Sequence, residues 1–395
     1  MYELPEHVQA FGKSKSCIRE LAAYGAKRKQ EIGPENVFDF SLGNPSIPAP
    51  SAVNEAIIEL AKNPLVDIHG YTPANGHPTF RKKIAENLNK RFNLNLDENL
   101  VFITAGCAPA LIFAMKAICL ENDRVIAVAP FFPEYAVYVT AAEADLVKVP
   151  ANDIFELDVE AIRQAINDDT RAIIINSPNN PTGVIYPRKN LEDLAKMLKE
   201  ESEKRDRIIY IITDEPYREL NYTGETCVSP IEIYDNTIMC YSWSKSLSLP
   251  GERIGYVAVS DRCTLARDVY TGIQGSARML GYVNPPSLLQ RVMEKCIDEC
   301  VDSNIYKKNR DLLTEGLKEI GYEFIEPDGA FYLFVKALEP DAQKFSDKAK
   351  AIDLLIVPSD GFGVEGYVRV SYCVSYDMIK RSFPKFKQLY DMYQK

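Results

Sequence analysis

An α/β fold is predicted: a mainly parallel sheet sandwiched by helices, with a smaller α+β domain. Three observations predict it. Between residues 100 and 245, short β-rich apolar runs alternate with helix-period segments. The runs are apolar throughout, the pattern of strands covered on both faces. After residue 300 the pattern changes to a long helix followed by short strands, which reads as a separate α+β layer.

In chain order, "MYELPEHVQAFGK" (1–13) reads as an N-terminal arm whose apolar residues lack a helical period and need another surface. Residues 14–47 are expected to join 303–395 in the small domain, leaving 48–302 as the large one. The large domain's strands are "LVFIT" (100–104), "RVIAVA" (124–129), "AIIIN" (172–176), "IIYIIT" (208–213) and "TIMCY" (237–241). "LEDLAKMLKEESEKR" (191–205) carries the helical period between two of them. The small domain should hold a long helix over about 302–320, strands near 330–335, 354–357 and 367–372, and a closing helix over roughly 376–393. No internal repeat or low-complexity linker separates the two parts.

Composition narrows the function. The chain has 395 residues, 46% hydrophobic and 26% charged, enough to bury a substantial core. A net charge of −10 argues against nucleic acid or an anionic membrane as partner. No apolar run is long enough to span a bilayer, and the N-terminus lacks the apolar core of a secretion signal. Nine cysteines without a framework suggest reduced thiols in a cytoplasm. With three histidines in the chain, histidine chemistry starts poor.

Ligands of parallel sheets bind beyond the carboxyl ends of the strands, so the residues after each run carry the search. In "FITAGCAPALIFAMKAI" (102–118), Gly106 allows close backbone approach, and the amides of Cys107 and Ala108 open a helix suited to phosphate; an ordinary β–α turn has similar letters. "SPNNPTG" (177–183) is explained largely by turn chemistry, yet its doubled Asn offers a neutral donor. Asp214 leaves a strand expected to be buried on both faces, where a carboxylate needs a cation or several donors, unless it caps the next turn. Arg369, in "EGYVRVSYC" (365–373), has the fork that matches a carboxylate, although a surface ion pair would also account for it.

The stretch "CYSWSKSLSLPGERIGY" (240–256) sets Lys245 among hydroxyls, with Ser242 and Ser244 before it and Arg253 behind. A solvated loop lysine is the ordinary reading of that segment alone. One ligand uses the whole set: pyridoxal 5′-phosphate linked covalently to a lysine. Its phosphate fits Gly106, Cys107 and Ala108 with Ser242, Ser244 and Arg253. Its protonated ring supplies the cation that Asp214 lacks and acts as an electron sink. Lys245 is then the linking lysine.

With these residues in view, the chain resembles the fold type I pyridoxal-phosphate aminotransferases of class I/II, in particular those like the bacterial aspartate aminotransferases. The likeness runs through "SLGNPSIPAP" (41–50), "GYTPANGHP" (70–78), "SPNNPTG" (177–183), "DEPY" (214–217), "SWSKSLSLPGERIGY" (242–256) and "YVRVSYC" (367–373). Each motif is weak alone; their shared order is specific. The resemblance implies that Phe132 stacks on the cofactor ring and that Asn180 and Tyr217 bond its hydroxyl. It also implies that Tyr71 reaches the partner subunit's phosphate, hence a homodimer, and that Gly43 lies beside the substrate carboxylate anchored by Arg369. The simpler alternative for Phe132 and Tyr71 is that they are core aromatics. The implied reaction moves an amino group between a 2-amino acid and a 2-oxo acid. Lys245 would shuttle the proton between the substrate α-carbon and the cofactor C4′, which needs a lowered pKa.

Substrate preference stays open. Aspartate-specific relatives carry a lysine where this chain has Ala108, or an arginine five residues before Asn-Pro-Pro; here Met279 holds that place with Arg278 beside it. Aspartate or glutamate with 2-oxoglutarate or oxaloacetate is the favoured pairing, with aromatic or neutral amino acids as the alternative. A β-lyase cleaving C–S bonds shares the fold and the lysine. A cofactor-binding regulator would carry an added DNA-binding segment, and no spare basic N-terminal domain is present. Two motifs mislead. "GFGVEG" (361–366) has dinucleotide-site spacing but precedes a strand rather than a helix. "CIDEC" (296–300) would put two cysteines on neighbouring helical turns without further metal ligands, and no metal site is expected.

Overall fold

The computed structural model describes residues 5–13, 16–62 and 68–394. Among the described residues twelve strands occur in chain order: β1 (Phe38–Asp39), β2 (Val101–Thr104), β3 (Arg124–Ala129), β4 (Asp145–Pro150), β5 (Thr170–Asn176), β6 (Tyr210–Asp214), β7 (Thr237–Ser242), β8 (Gly255–Val259), β9 (Tyr332–Lys336), β10 (Leu354–Leu355), β11 (Val357–Pro358) and β12 (Tyr367–Ser371). β2 to β8 form a seven-stranded sheet in the order β2-β8-β7-β6-β5-β3-β4. β8 runs antiparallel to both neighbours; the β7-β6-β5-β3-β4 pairings are parallel. The mainly parallel sheet holds.

Both faces of the sheet are covered, which explains the unbroken apolar runs. Val125, Ala127, Ala172, Ile174 and Ile212 face a core with helices Cys107–Ile118 and Ala266–Leu280. Their neighbours Ile126, Val128, Ile173, Ile175 and Ile211 face a second core under helix Arg188–Arg205. Successive strand residues point to opposite faces, so each strand must be apolar at every position. Two strands lay outside the predicted runs. β4 is an edge strand with a largely wet surface, and β8 follows the Lys245 loop directly.

β11, β12 and β9 make a three-stranded antiparallel sheet, and β1 pairs parallel with β10. Helices Ser303–Ile320 and Tyr376–Asp391 bury their apolar faces in a third core with these strands. The early segment reaches the small layer through β1. The aperiodic arm is corrected: Glu6–Lys13 is an α-helix. Its acidic first turn and basic last turn oppose the helix dipole, while Val8 and Phe11 remain exposed. Residues 1–4 of that arm and 14–15 of the next segment lie outside the described residues. "GFGVEG" passes through a 3-10 turn into β12, so it opens no helix. "CIDEC" lies beyond the end of helix Ser287–Lys295 rather than on helical turns. No cluster of metal-ligating side chains occurs among the described residues. Nor is any described helix long and apolar enough to cross a membrane.

Candidate active site

The site begins where the parallel strands end. Asn176 closes β5 and pairs in register with Asp214, which closes β6 and pairs in turn with Cys240 of β7. The Asn176 amide donates to the Asp214 carbonyl at 2.8 Å, and its oxygen accepts from the Asn180 amide at 2.8 Å. This turns the "SPNNPTG" loop back over the strand ends. A cavity of about 320 Å³ opens there, between the seven-stranded sheet and the small layer.

Lys245 lies on the single helical turn Trp243–Ser246 that follows β7. Its Nζ donates to the Gly43 carbonyl at 2.7 Å. Burial lowers the ammonium's pKa to about 8; Cys373 opposes that fall, while Arg369 and Arg253 add to it. A side chain at Gly43 would collide with the Tyr332 hydroxyl, so the chain can pass this close only without one. Lysine's readiness to lose its proton when buried suits it to work as a base near neutral pH.

Asp214 is buried. Tyr135 donates its hydroxyl to Oδ2 at 2.6 Å, and the Cys107 thiol donates to Oδ1 at 2.9 Å. Neither contact caps a turn, so that simpler reading is set aside. Burial raises the carboxyl to about pKa 6 against the pull of these two donors, with Glu215 adding slightly.

At the start of helix Cys107–Ile118, Gly106 has φ of 88°, a region open to glycine. A Cβ there would sit 2.6 Å from Arg253 Nη2. The first amides of a helix have no partner within it, and Cys107 and Ala108 line the cavity with Arg253, Ser242 and Ser244. The two serine hydroxyls lie 3.2 Å apart. Arg253 itself has φ of 51°, and its Nη1 donates to the Pro250 carbonyl at 2.9 Å.

Arg369 projects from β12 and is 2% exposed. Nη1 donates to Asn180 Oδ1 at 3.0 Å and Nη2 to the Ser41 carbonyl at 2.7 Å. Its Nε has no partner among the described residues. Tyr332 and Phe362 flank the guanidinium, with ring centroids at 4.6 and 5.2 Å. No carboxylate among the described residues pairs with it, and its burial removes the surface ion-pair reading.

Of the other expected residues, Phe132 and Tyr217 line the cavity, and Tyr217 shares a hydrogen bond of 3.0 Å with Tyr332. Tyr71 and Arg278 do not line it. Tyr71 is 97% exposed, and Arg278 lies exposed in the last turn of helix Ala266–Leu280. Sequence reasoning missed Tyr135, Tyr332, Tyr138 and Ile18. Tyr135 follows the end of β3 in "APFFPEY", where the strand-end rule could have found it, three residues beyond the Phe132 that the resemblance supplied. Tyr332 and Ile18 come from the small layer, where no strand-end rule applies.

Comparison with known proteins agrees with this geometry. Residues 35–383 match the family described as aminotransferase class I and II. A crystal structure of an amino transferase from Eubacterium rectale is 48% identical, with TM-score 0.97 and complete coverage of both chains. The aspartate aminotransferase of Thermus thermophilus, solved with maleate, is 26% identical, with TM-score 0.87 over 98% of this chain and 100% of that one. A probable aspartate aminotransferase of Methanocaldococcus jannaschii is 28% identical over 95% of this chain and 97% of its own. The chain belongs to the class I and II aminotransferases, pyridoxal-phosphate-dependent enzymes that move amino groups between amino acids and 2-oxo acids.

Proposed function

We propose that this chain binds pyridoxal 5′-phosphate at Lys245 and exchanges the amino group of aspartate or glutamate with 2-oxoglutarate or oxaloacetate, as a cytoplasmic homodimer. One observation carries the cofactor assignment. A single cavity brings together a half-buried lysine of lowered pKa and a buried carboxylate that has two neutral donors and no cation among the described residues. The donor set fits the cofactor at each end. Arg253, Ser242, Ser244, the glycine at 106 and the two helix amides suit a phosphate. Asp214 suits a protonated ring nitrogen. Asn180 and Tyr217 offer polar contacts to the ring, and Phe132 offers a face for stacking. The cofactor, when bound, supplies an aldehyde that joins to amines and a cationic ring that withdraws electrons.

The chain's own residues do the rest. Arg369 binds the substrate α-carboxylate with the N–H groups of its fork, Nε among them. Gly43 leaves room for that carboxylate beside it. Lys245 Nζ would carry the proton from the substrate α-carbon to the cofactor C4′, and its lowered pKa keeps a fraction unprotonated near neutral pH. Asp214 holds the ring's positive charge in place.

The acidic preference draws on the names of the relatives and on Arg278, offered from the partner subunit. A dimer is supported by the exposed aromatic surface it would cover. Tyr71 is 97% exposed, Met279 75% and Tyr282 53%. Thr72 and Asn284, hydrogen-bonded to each other, tie the two segments together. Nine free cysteines support a reducing compartment.

The purified protein should be yellow, and borohydride should fix the cofactor on a peptide containing Lys245. Lys245→Ala should retain some noncovalent cofactor and lose transamination; unchanged activity would end this reading. A scan of amino-acid and 2-oxo-acid pairs, with pyruvate and ammonia followed in parallel, separates transamination from lyase chemistry.

A further inference from the structure

Tyr135 and Cys107 occupy the two oxygens of Asp214, one donor each. They come from two helices, Tyr135–Ala141 and Cys107–Ile118. We propose that Tyr135 and Cys107 are positioning residues that keep the proton of the carboxylate–ring pair on the ring nitrogen. This inference rests on the reading that Asp214 faces the cofactor ring.

The argument is one of competing acceptors. A carboxylate and a pyridine nitrogen that share one proton leave it on whichever is the stronger base. Burial strengthens Asp214 as a base. Left to itself, the carboxylate would draw the proton away and leave the ring neutral, a poor electron sink. Each donated hydrogen bond stabilises the ionised carboxylate and returns the proton to the ring. The donors stay in their protonated form, because burial and the nearby Asp214 push both Tyr135 and Cys107 well above their ordinary pKa. The other titratable groups facing Asp214 are Tyr138, Glu215, Tyr217 and Cys240. The tyrosines and Cys240 are likewise raised and neutral, and Glu215 is held by Arg218 at 3.1 Å. No other donor is available to Asp214's side chain among the described residues.

The holoenzyme carrying cofactor labelled with nitrogen-15 in the ring tests this directly, since the chemical shift reports ring protonation apart from turnover. At neutral pH the wild type should show the protonated ring. Tyr135→Phe and Cys107→Ala should each move the signal toward the neutral ring, and the double variant further. Cys107→Ser, which restores a donor, should hold near wild type. kcat should fall about tenfold in each single donor loss, with KM little changed. Asp214→Asn separates the two readings. If it shifts the signal and the donor variants do not, the proposal is overturned while Asp214 keeps its role. If Asp214→Asn also leaves the signal in place, the ring contact itself is wrong and the proposal falls with it. Should Tyr135→Phe fail to take up cofactor, the Cys107→Ala and Cys107→Ser pair decides.

Discussion

Removing the guanidinium of Arg369 should damage every amino-acid substrate and spare amines that lack the carboxylate. Arg369 has already met the desolvation cost of burial. It is 2% exposed, sits between Tyr332 and Phe362, and donates to Asn180 and Ser41. None of these partners carries a negative charge. A substrate carboxylate therefore arrives at a cation held in place, with a spare Nε donor, and loses little to reorganisation. Truncating one partner of such a buried, hydrogen-bonded pair costs about 2–5 kcal/mol. At about 1.4 kcal/mol per decade that is roughly thirtyfold to several thousandfold in kcat/KM. Arg369→Lys should recover part of it, because an ammonium keeps the charge without the fork. The assay is the half-reaction with a series of amino acids, run beside the decarboxylated amine of one of them. The amine should react at a similar rate in wild type and Arg369→Ala. An equal loss for amine and amino acid would refute the anchor and make Arg369 a structural residue.

Asp214 carries a stability cost that function requires. Its folded pKa of about 6 lies above the ordinary carboxylate value of 3.8, so the folded chain holds a proton that the unfolded chain has released between those values. Stability of the cofactor-free chain should therefore fall as pH rises from about 4 through about 6, by at most about 3 kcal/mol. Asp214→Asn should melt higher than wild type at pH 7 without cofactor while losing transamination; an unchanged melting temperature would count against the buried charge. Light scattering at micromolar concentration should give a dimer, and a fully active monomer would contradict the shared site. Arg278→Ala should weaken aspartate or glutamate by about 1–3 kcal/mol and spare neutral amino acids; equal losses would remove Arg278 from the site and favour aromatic or aliphatic substrates.

How much was legible in the sequence followed from how local each signal was. The β3, β5, β6 and β7 runs read correctly because burial on two faces leaves no polar position to confuse the period. β4 was missed because an edge strand keeps polar residues on its wet side. Lys245, Asp214 and Gly106 were legible because the parallel-sheet rule says where to look, namely just after each run. Tyr332 was not, because it enters from β9, across the boundary between the two layers, with only its contact to Tyr217 to mark it. The arm was misread because its exposed apolar pair, Val8 and Phe11, gives a helix no buried face to advertise.

The two layers explain why the site needs both halves of the chain. The strand ends of the large sheet supply Asp214, the Asn180 loop and Lys245 to the cavity, the groups proposed to hold the cofactor. The small layer supplies Arg369 on β12 and Tyr332 on β9, and the preceding segment adds Gly43. Hydrogen bonds join the sets, among them Lys245 Nζ to the Gly43 carbonyl, Arg369 Nη1 to Asn180 Oδ1, and the Tyr217–Tyr332 pair. Each of the first two uses a group that the proposed chemistry must free or share. The lysine has to leave Gly43 to act on the α-carbon, and Asn180 stands between the substrate anchor and the ring. A substrate bridging Arg369 and Lys245 would therefore replace contacts that now tie the layers together, so substrate binding and the relative placement of the layers should be coupled. Asn180→Ala tests that coupling. It should raise KM for amino acids more than for the decarboxylated amine, since it loosens the anchor. It should also leave the Lys245–cofactor link intact by absorbance. Loss of that link with normal KM would assign Asn180 to the ring alone and break the proposed bridge between the layers.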